Sequence, residues 1–353
     1  MKITIVPAAR LNPEHVDAWS QIQRISMELD SPYFRPEYTQ AVAAIRNDVE
    51  VAVLEEHGEM VGFFPYQRAR GNIAQPVGGR LSDFQGVIVR KDVNWDPLQL
   101  LQGCSLRAWH FDHMLTSQEP LRSHHRLVED SPNADLSGGF GAYAMRHGGS
   151  EDSAFSNLRS KARKLQQTAG PLRFEADIKD QKVFDTLIEW KTQQYLRTGA
   201  TNVFAFSWTR ALLERILHCR GEEFSGMLSA LYAGDQLVAA HFGMRSRGVL
   251  HFWFPSYDPA FAKFSPGGVR DLELMKFLAA NGAWRLDFGK GMDQHKSYFM
   301  SAASQVAVGS VDLRPLTRTE RREWHRACKL ARESPLRRPA RVLYRIREWL
   351  AFH

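Results

Sequence analysis

His241, Asp287 and a glycine-led helix start at Ser265 are the residues whose types and settings suit chemistry. His241 closes an apolar run, VAAH, just before Gly243, and imidazole titrates in the range a general base needs. A hydrogen-bonded core histidine is the other reading. Asp287 stands at the C-terminal end of a β-prone run before Gly289 and Gly291, where sites in α/β sheets open. A turn-forming Asx residue is its alternative. Ser265, Pro266, Gly267 and Gly268 open an apolar helix. Bare N–H groups at a helix start beside parting strands hold an anion, which predicts a phosphate-bearing ligand there. Lys191 carries a conflict: it follows Phe184, Leu187 and Ile188 on one helical face, with Tyr195 beyond it. An ammonium on such a face is costly unless it reaches solvent or an anion.

These residues need a frame. Residues 229–233 and 237–243 are β-prone and joined by Gly234-Asp235, a hairpin signal. A third strand at 250–255, a helix from Ser265 to Ala280 and a strand at 284–288 complete the unit. Helices are expected over 158–170 and 183–195. The first half repeats the order: strands 51–54 and 60–66 turn at Gly58, a helix covers 98–104, and a strand covers 106–114. LEEHGEMVGFF aligns with LYAGDQLVAAHF about 177 positions later, and LRAWHFDHM with AWRLDFGKG. Duplication of one α/β unit is the expected cause; chance recurrence of hairpin-plus-helix units, common in α/β proteins, is the alternative. Residues 131–149, rich in Gly, Ala and Ser, read as the linker. The division expected is 1–150, 151–313 and a tail, 314–353.

Several ordered motifs carry a resemblance. They are WK-x-x-QY (Trp190, Lys191, Gln194, Tyr195), RTG at 197–199, VAAH ending in His241, FP-x-YD (Phe254, Pro255, Tyr257, Asp258), FSPG at 264–267 and D-x-G-x-G (Asp287, Gly289, Gly291). Together with the strand and helix order, the set resembles the GNAT superfamily, and within it the BioF2-like acetyltransferase family. That family includes cellulose-biosynthesis (CelD-like) proteins and is related to Fem-type aminoacyltransferases of peptidoglycan bridges. The resemblance implies two tandem GNAT-like α/β (α+β) domains with mixed, largely antiparallel sheets. It implies acetyl-CoA or another acyl-CoA as co-substrate, with its pyrophosphate at Ser265, Gly267 and Gly268 and with Trp253 on the cofactor side.

The thioester is already activated, so transfer needs a nucleophile, a base and oxyanion donors, and no metal. On the resemblance, His241 is the base and Asp287 and Lys296 orient substrate; here His295-Lys296 stands where the family has Tyr-Lys. Tyr257 either protonates the departing thiolate or packs. Asp83-Phe84-Gln85-Gly86 and Asp112-His113 resemble family elements that line the acceptor side. Asp83, Gln85, Asp112, Lys191, Gln194, Tyr195 and Tyr257 are thus the substrate candidates. The expected acceptor is a small saccharide or amino sugar of exopolysaccharide or cell-envelope biosynthesis. A Fem-like transfer from aminoacyl-tRNA and a non-catalytic role in a polysaccharide-synthase assembly are the alternatives.

Composition removes other classes. Alternation along a strand puts His110 and Asp112 on one face and His113 on the other, against a shared metal. Cys104, Cys219 and Cys328 are isolated and odd in number, against a disulfide framework. The net charge of +7 is concentrated from Arg314 onward, where twelve Arg or Lys face four Glu. The body is therefore near neutral and no nucleic-acid partner is expected. In residues 336–353, Val342, Leu343, Ile346, Trp349 and Leu350 share a helical face flanked by arginines. That face either docks on protein or touches anionic membrane. The expected location is cytoplasmic, with or without peripheral membrane contact.

Overall fold

The computed structural model describes residues 1–150 and 155–314; the basic tail, and with it the proposed interfacial helix, lies outside the described residues. The chain sorts into two compact units. Of the described residues, one comprises 1–29, 39–128 and 306–314, and the other 30–38, 129–150 and 155–305. Both are mixed α/β with mostly antiparallel strand pairing.

In the first unit, β1 (Lys2–Pro7) is followed by α1 (Pro13–Arg24). α1 is capped by Asn12, whose side chain accepts from the His15 N–H at 2.9 Å. α2 (Pro36–Ala43) leads to β2 (Val49–Glu56) and β3 (Glu59–Ala69), an antiparallel hairpin. Then come β4 (Ile73–Gln75), β5 (Ile88–Val89), α3 (Pro97–Gly103) and β6 (Ala108–Leu115). β4 and β6 run parallel. Their core is one apolar cluster around Phe64, Tyr66, Leu100, Trp109 and Met114.

The second unit contains β7 (His125–Asp135), α4 (Gly139–Arg146), α5 (Ser156–Ala169), β8 (Leu172–Ile178), α6 (Gln181–Thr198) and α7 (Ser207–Leu217). β9 (Ser225–Ala233) and β10 (Gln236–Ser246) form the expected hairpin, with Gly234 in the left-handed region at φ 56°. β11 (Val249–Tyr257), α8 (Pro266–Ala280), β12 (Arg285–Asp287) and α9 (Gln294–Phe299) follow; β13 (Ala302–Asp312) comes last in the chain, and its residues from Val306 belong to the first unit. The strand order here is β7-β12-β11-β10-β9-β8, and in the first unit β1-β2-β3-β4-β6-β13.

Residues 131–149 correct an expectation. Instead of a linker they hold the end of β7 and all of α4, and they bury Ala134, Leu136, Tyr143 and Ala144. Small residues allow close packing as well as flexibility, and composition does not separate the two. A second surprise is that residues 30–38 belong with the second unit. Arg35, 1% exposed, is clasped by Glu37 and Glu223 at 2.8 Å each, and the Tyr33 ring sits edge-on to His251 at 4.9 Å.

Close backbone approaches fix how helices lie on the sheet. α7 crosses β9 where Gly226 has no side chain, and a Cβ there would collide with the Ile216 carbonyl oxygen. Since backbone cannot yield as a rotamer does, Gly226→Ala is expected to lose about 1–3 kcal/mol of stability, read from urea unfolding midpoints.

Candidate active site

β12 accompanies β11 for only three residues: Val249 pairs with Arg285, Leu250 with Leu286 and His251 with Asp287. Beyond them, residues 252–257 of β11 run on beside β10. The chain leaves β12 through Gly289 and Gly291, at φ 73° and 86°, conformations that suit glycine. So the sheet parts on that side.

α8 begins at the open end. Its cap residue, Ser265, is itself left-handed (φ 50°, ψ 53°), and its hydroxyl accepts from Lys161 Nζ at 2.7 Å. Pro266 has no N–H, and the amides that follow, at Gly267 and Gly268, lie in the first turn where a helix supplies no partner. Tyr257 lies beside Gly267, 3.4 Å from where a Cβ would stand, and Leu158 crowds Gly268. Lys161 was missed from the sequence although a signal existed: it lies between the buried Leu158 and Leu165 on the inward face of α5, whereas Arg163 and Lys164 are exposed.

One turn into α8, two charges are buried. Arg270 and Asp271 are each 1% exposed. The Arg270 guanidinium donates to the Ala240 carbonyl, to the Ser256 carbonyl at 3.1 Å, and to Asp271 Oδ1 through Nε at 2.9 Å. Asp271 Oδ2 meets His295 Nε2 at 2.7 Å. Burial alone would push this carboxyl up, but Arg270 and the His295 contact outweigh it and hold it below the usual range. His295 is 36% exposed, so a fixed, backed imidazole faces outward. Phe252 stacks against both His295 (5.5 Å, 18°) and His241 (4.3 Å, 12°).

His241 itself is fully buried, and neither ring nitrogen has a hydrogen-bond partner among the described residues. Burial first, and Arg270 second, pull its pKa well down. Asp287 is also buried; its Oδ1 accepts from Arg285 Nε at 2.9 Å, while its Oδ2 lacks a hydrogen-bond partner among the described residues. Arg285 also reaches Asp30, which accepts from Trp284 Nε1 at 3.3 Å and is raised chiefly by burial. Lys296 donates to the carbonyls of Gly289 and Lys290 at 3.0 Å each, pinning the glycine loop. The three residues expected to share the chemistry are thus held by three separate sets of contacts.

Lys191 does follow the buried face of α6, as its spacing predicts. Its ammonium donates to the Pro255 carbonyl at 3.2 Å, on the part of β11 that β12 has left, and lies 5.4 Å from the Tyr195 ring. Burial, then Arg270, bring its pKa down to about 8, with Asp293 pulling the other way. Gln194 is half-buried on the same helix. Trp253 packs among Tyr33, Phe242 and Phe254.

In the first unit, Asp83, Gln85 and Asp112 do come together, around His113. Its Nδ1 is 2.9 Å from Asp112 and its Nε2 3.2 Å from Asp83, while the Gln85 amide donates to Asp112 at 2.8 Å. Among the described residues no group of His, Cys, Asp and Glu is arranged to hold a metal ion, and no helix is long and apolar enough to cross a membrane.

The family model for the GNAT acetyltransferase domain matches residues 152–297, the stretch that holds α5 to α9 and the parted strands. That stretch is a GNAT-type acyltransferase domain. No curated protein matches the chain. Among solved structures, FemX is similar in fold, with TM-score 0.60 and 10% identity over 91% of this chain and 99% of that one. The C-terminal domain of a putative lysylphosphatidylglycerol synthetase from Agrobacterium fabrum gives 0.52 and 12% over 87% and 94%. A conserved protein of unknown function from Bacteroides thetaiotaomicron gives 0.51 and 11% over 87% and 99%.

The GNAT domain therefore has a buried ion pair at its centre, and its pH response follows. A carboxyl held low in the fold stabilises above its unfolded pKa, about 3.9, and loses that contribution as pH falls through the lower folded value. The stability advantage of wild type over Asp271→Asn is expected to be full at pH 7 and to shrink below about pH 4. Urea midpoints of both proteins across that range check it.

Proposed function

We propose that the protein transfers an acyl group from a CoA thioester to the amine or hydroxyl of a saccharide, such as an amino-sugar precursor of exopolysaccharide or cell envelope. The observation that carries the donor is the parting of β11 from β12 beside the glycine start of α8, with Lys161 at its cap. Two first-turn amides, the positive end of a helix and an ammonium suit a diphosphate. The vacated edge of β11 offers backbone groups to an amide-bearing arm. The acceptor class rests on the sequence resemblance.

His295 is the base in this reading. Asp271 holds Nε2, which leaves Nδ1 to take the acceptor's proton, and the buried guanidinium of Arg270 fixes the carboxylate. The acceptor's nitrogen or oxygen then bonds to the thioester carbon, the carbon–sulfur bond breaks, and CoA leaves. His241, sealed behind Phe252, supports the stack instead of exchanging protons with substrate.

Titration calorimetry with acetyl-CoA tests the donor, and Lys161→Ala is expected to weaken binding about tenfold, from loss of a charge-assisted contact. Absence of binding at millimolar acetyl-CoA would defeat the reading. For the chemistry, His295→Ala is expected to lower kcat about 10²–10⁴-fold with acetyl-CoA affinity retained.

A further inference from the structure

The proposed reaction leaves one proton unassigned. A thiolate departs from the thioester while His295 is receiving the acceptor's proton, so an acid other than His295 is called for to give the sulfur its proton. Lys191 is placed for it. Its stem follows Phe184, Leu187 and Ile188 down the buried face of α6, so packing aims its head at β11. The ammonium ends on the Pro255 carbonyl at 3.2 Å, on the stretch beside the strand parting where this reading lays the thioester. Its charged and titratable surroundings are Tyr195 on its own helix, Arg270 from α8 and Asp293 at the start of α9.

We propose that Lys191 is the general acid that protonates the sulfur leaving the thioester. The inference rests on the acyl-CoA reading above. As the acceptor bonds to the carbonyl carbon, the carbon–sulfur pair goes to sulfur and the Lys191 ammonium gives it a proton, leaving a neutral amine and CoA thiol. His295 carries the acceptor's proton, and solvent returns Lys191 and His295 to their starting states. The electrostatics agree with this assignment. Burial and Arg270 bring the lysine to about 8, close to an ordinary thiol at about 8.5, so the transfer is nearly balanced. The neighbouring Tyr195 phenol is pushed up by burial and is a poorer donor. Tyr257, the sequence-based candidate, has its ring against Gly267 at the start of α8.

The test compares Lys191→Met and Lys191→Arg with wild type, using two donors and glucosamine as acceptor, with hydrolysis measured in its absence. Acetyl-CoA needs its sulfur protonated; 4-nitrothiophenyl acetate releases a stable thiolate that does not. Lys191→Met is expected to cut kcat with acetyl-CoA about 10²-fold or more, with KM unchanged, and to leave the aryl thioester rate intact. Lys191→Arg keeps the charge but gives up no proton at neutral pH, so it is expected to be as slow as Lys191→Met. Wild-type kcat with acetyl-CoA is expected to fall above about pH 8, and that limb to vanish for the aryl thioester. Because Lys191→Met removes a half-buried charge, it is expected to melt no lower than wild type, which separates loss of the acid from loss of the fold.

Equal losses with both donors, or full rescue by Lys191→Arg, would overturn the assignment while leaving acyl transfer from CoA standing. A wild type that binds no acetyl-CoA and releases no thiol from it overturns both.

Discussion

The buried pairing of Arg270 with Asp271 is the constraint on which the GNAT domain turns. Two charges withdrawn from water are tolerable only when each has a partner and the remaining donors are spent. Here the guanidinium spends them on Asp271 and on the carbonyls of Ala240 and Ser256, so it ties α8 to β10 and β11 at once. Asp271 passes the constraint outward to His295. A side chain that is partly exposed is thereby held by a carboxylate that is not. The pairing costs desolvation and returns orientation.

Orientation is what the rest of the domain supplies as well. Gly289 and Gly291 turn the chain away from β11, and Lys296 bridges two loop carbonyls so that the turn keeps its shape. The vacated strand edge then faces the start of α8, the Lys161 ammonium and the Lys191 ammonium. Two cations arrive by the same device, a long apolar stem laid along a buried helical face with the charge at its end. Lys161 does so on α5 and Lys191 on α6.

Much of this frame was legible in the chain because it rests on local rules. The Gly234-Asp235 hairpin, the helix after Ser265 and the buried face of α6 follow from turn chemistry and periodicity. Lys191 was readable as an anomaly on an apolar face. Arg270-Asp271 offered the same kind of signal, adjacent charges between Val269 and Leu272. Partners were not legible. That Asp271 reaches His295, 24 residues on, or that His241 has no hydrogen-bond partner among the described residues, depends on tertiary packing that no spacing encodes. Composition misled at 131–149, where small residues pack a helix instead of loosening a linker.

The placement of residues 30–38 has a practical corollary. Arg35 is the buried counter-ion of Glu223, Asp30 receives Trp284 and Arg285, and Tyr33 covers His251. The unit that holds the GNAT domain is consequently not a contiguous stretch of chain. Cutting the gene at residue 129 would strip a wedge of nine residues from its wall and strand an acidic and a basic side chain that now neutralise imported partners. Any excised fragment would have to carry that wedge back, stitched on as a graft or added as a separate peptide.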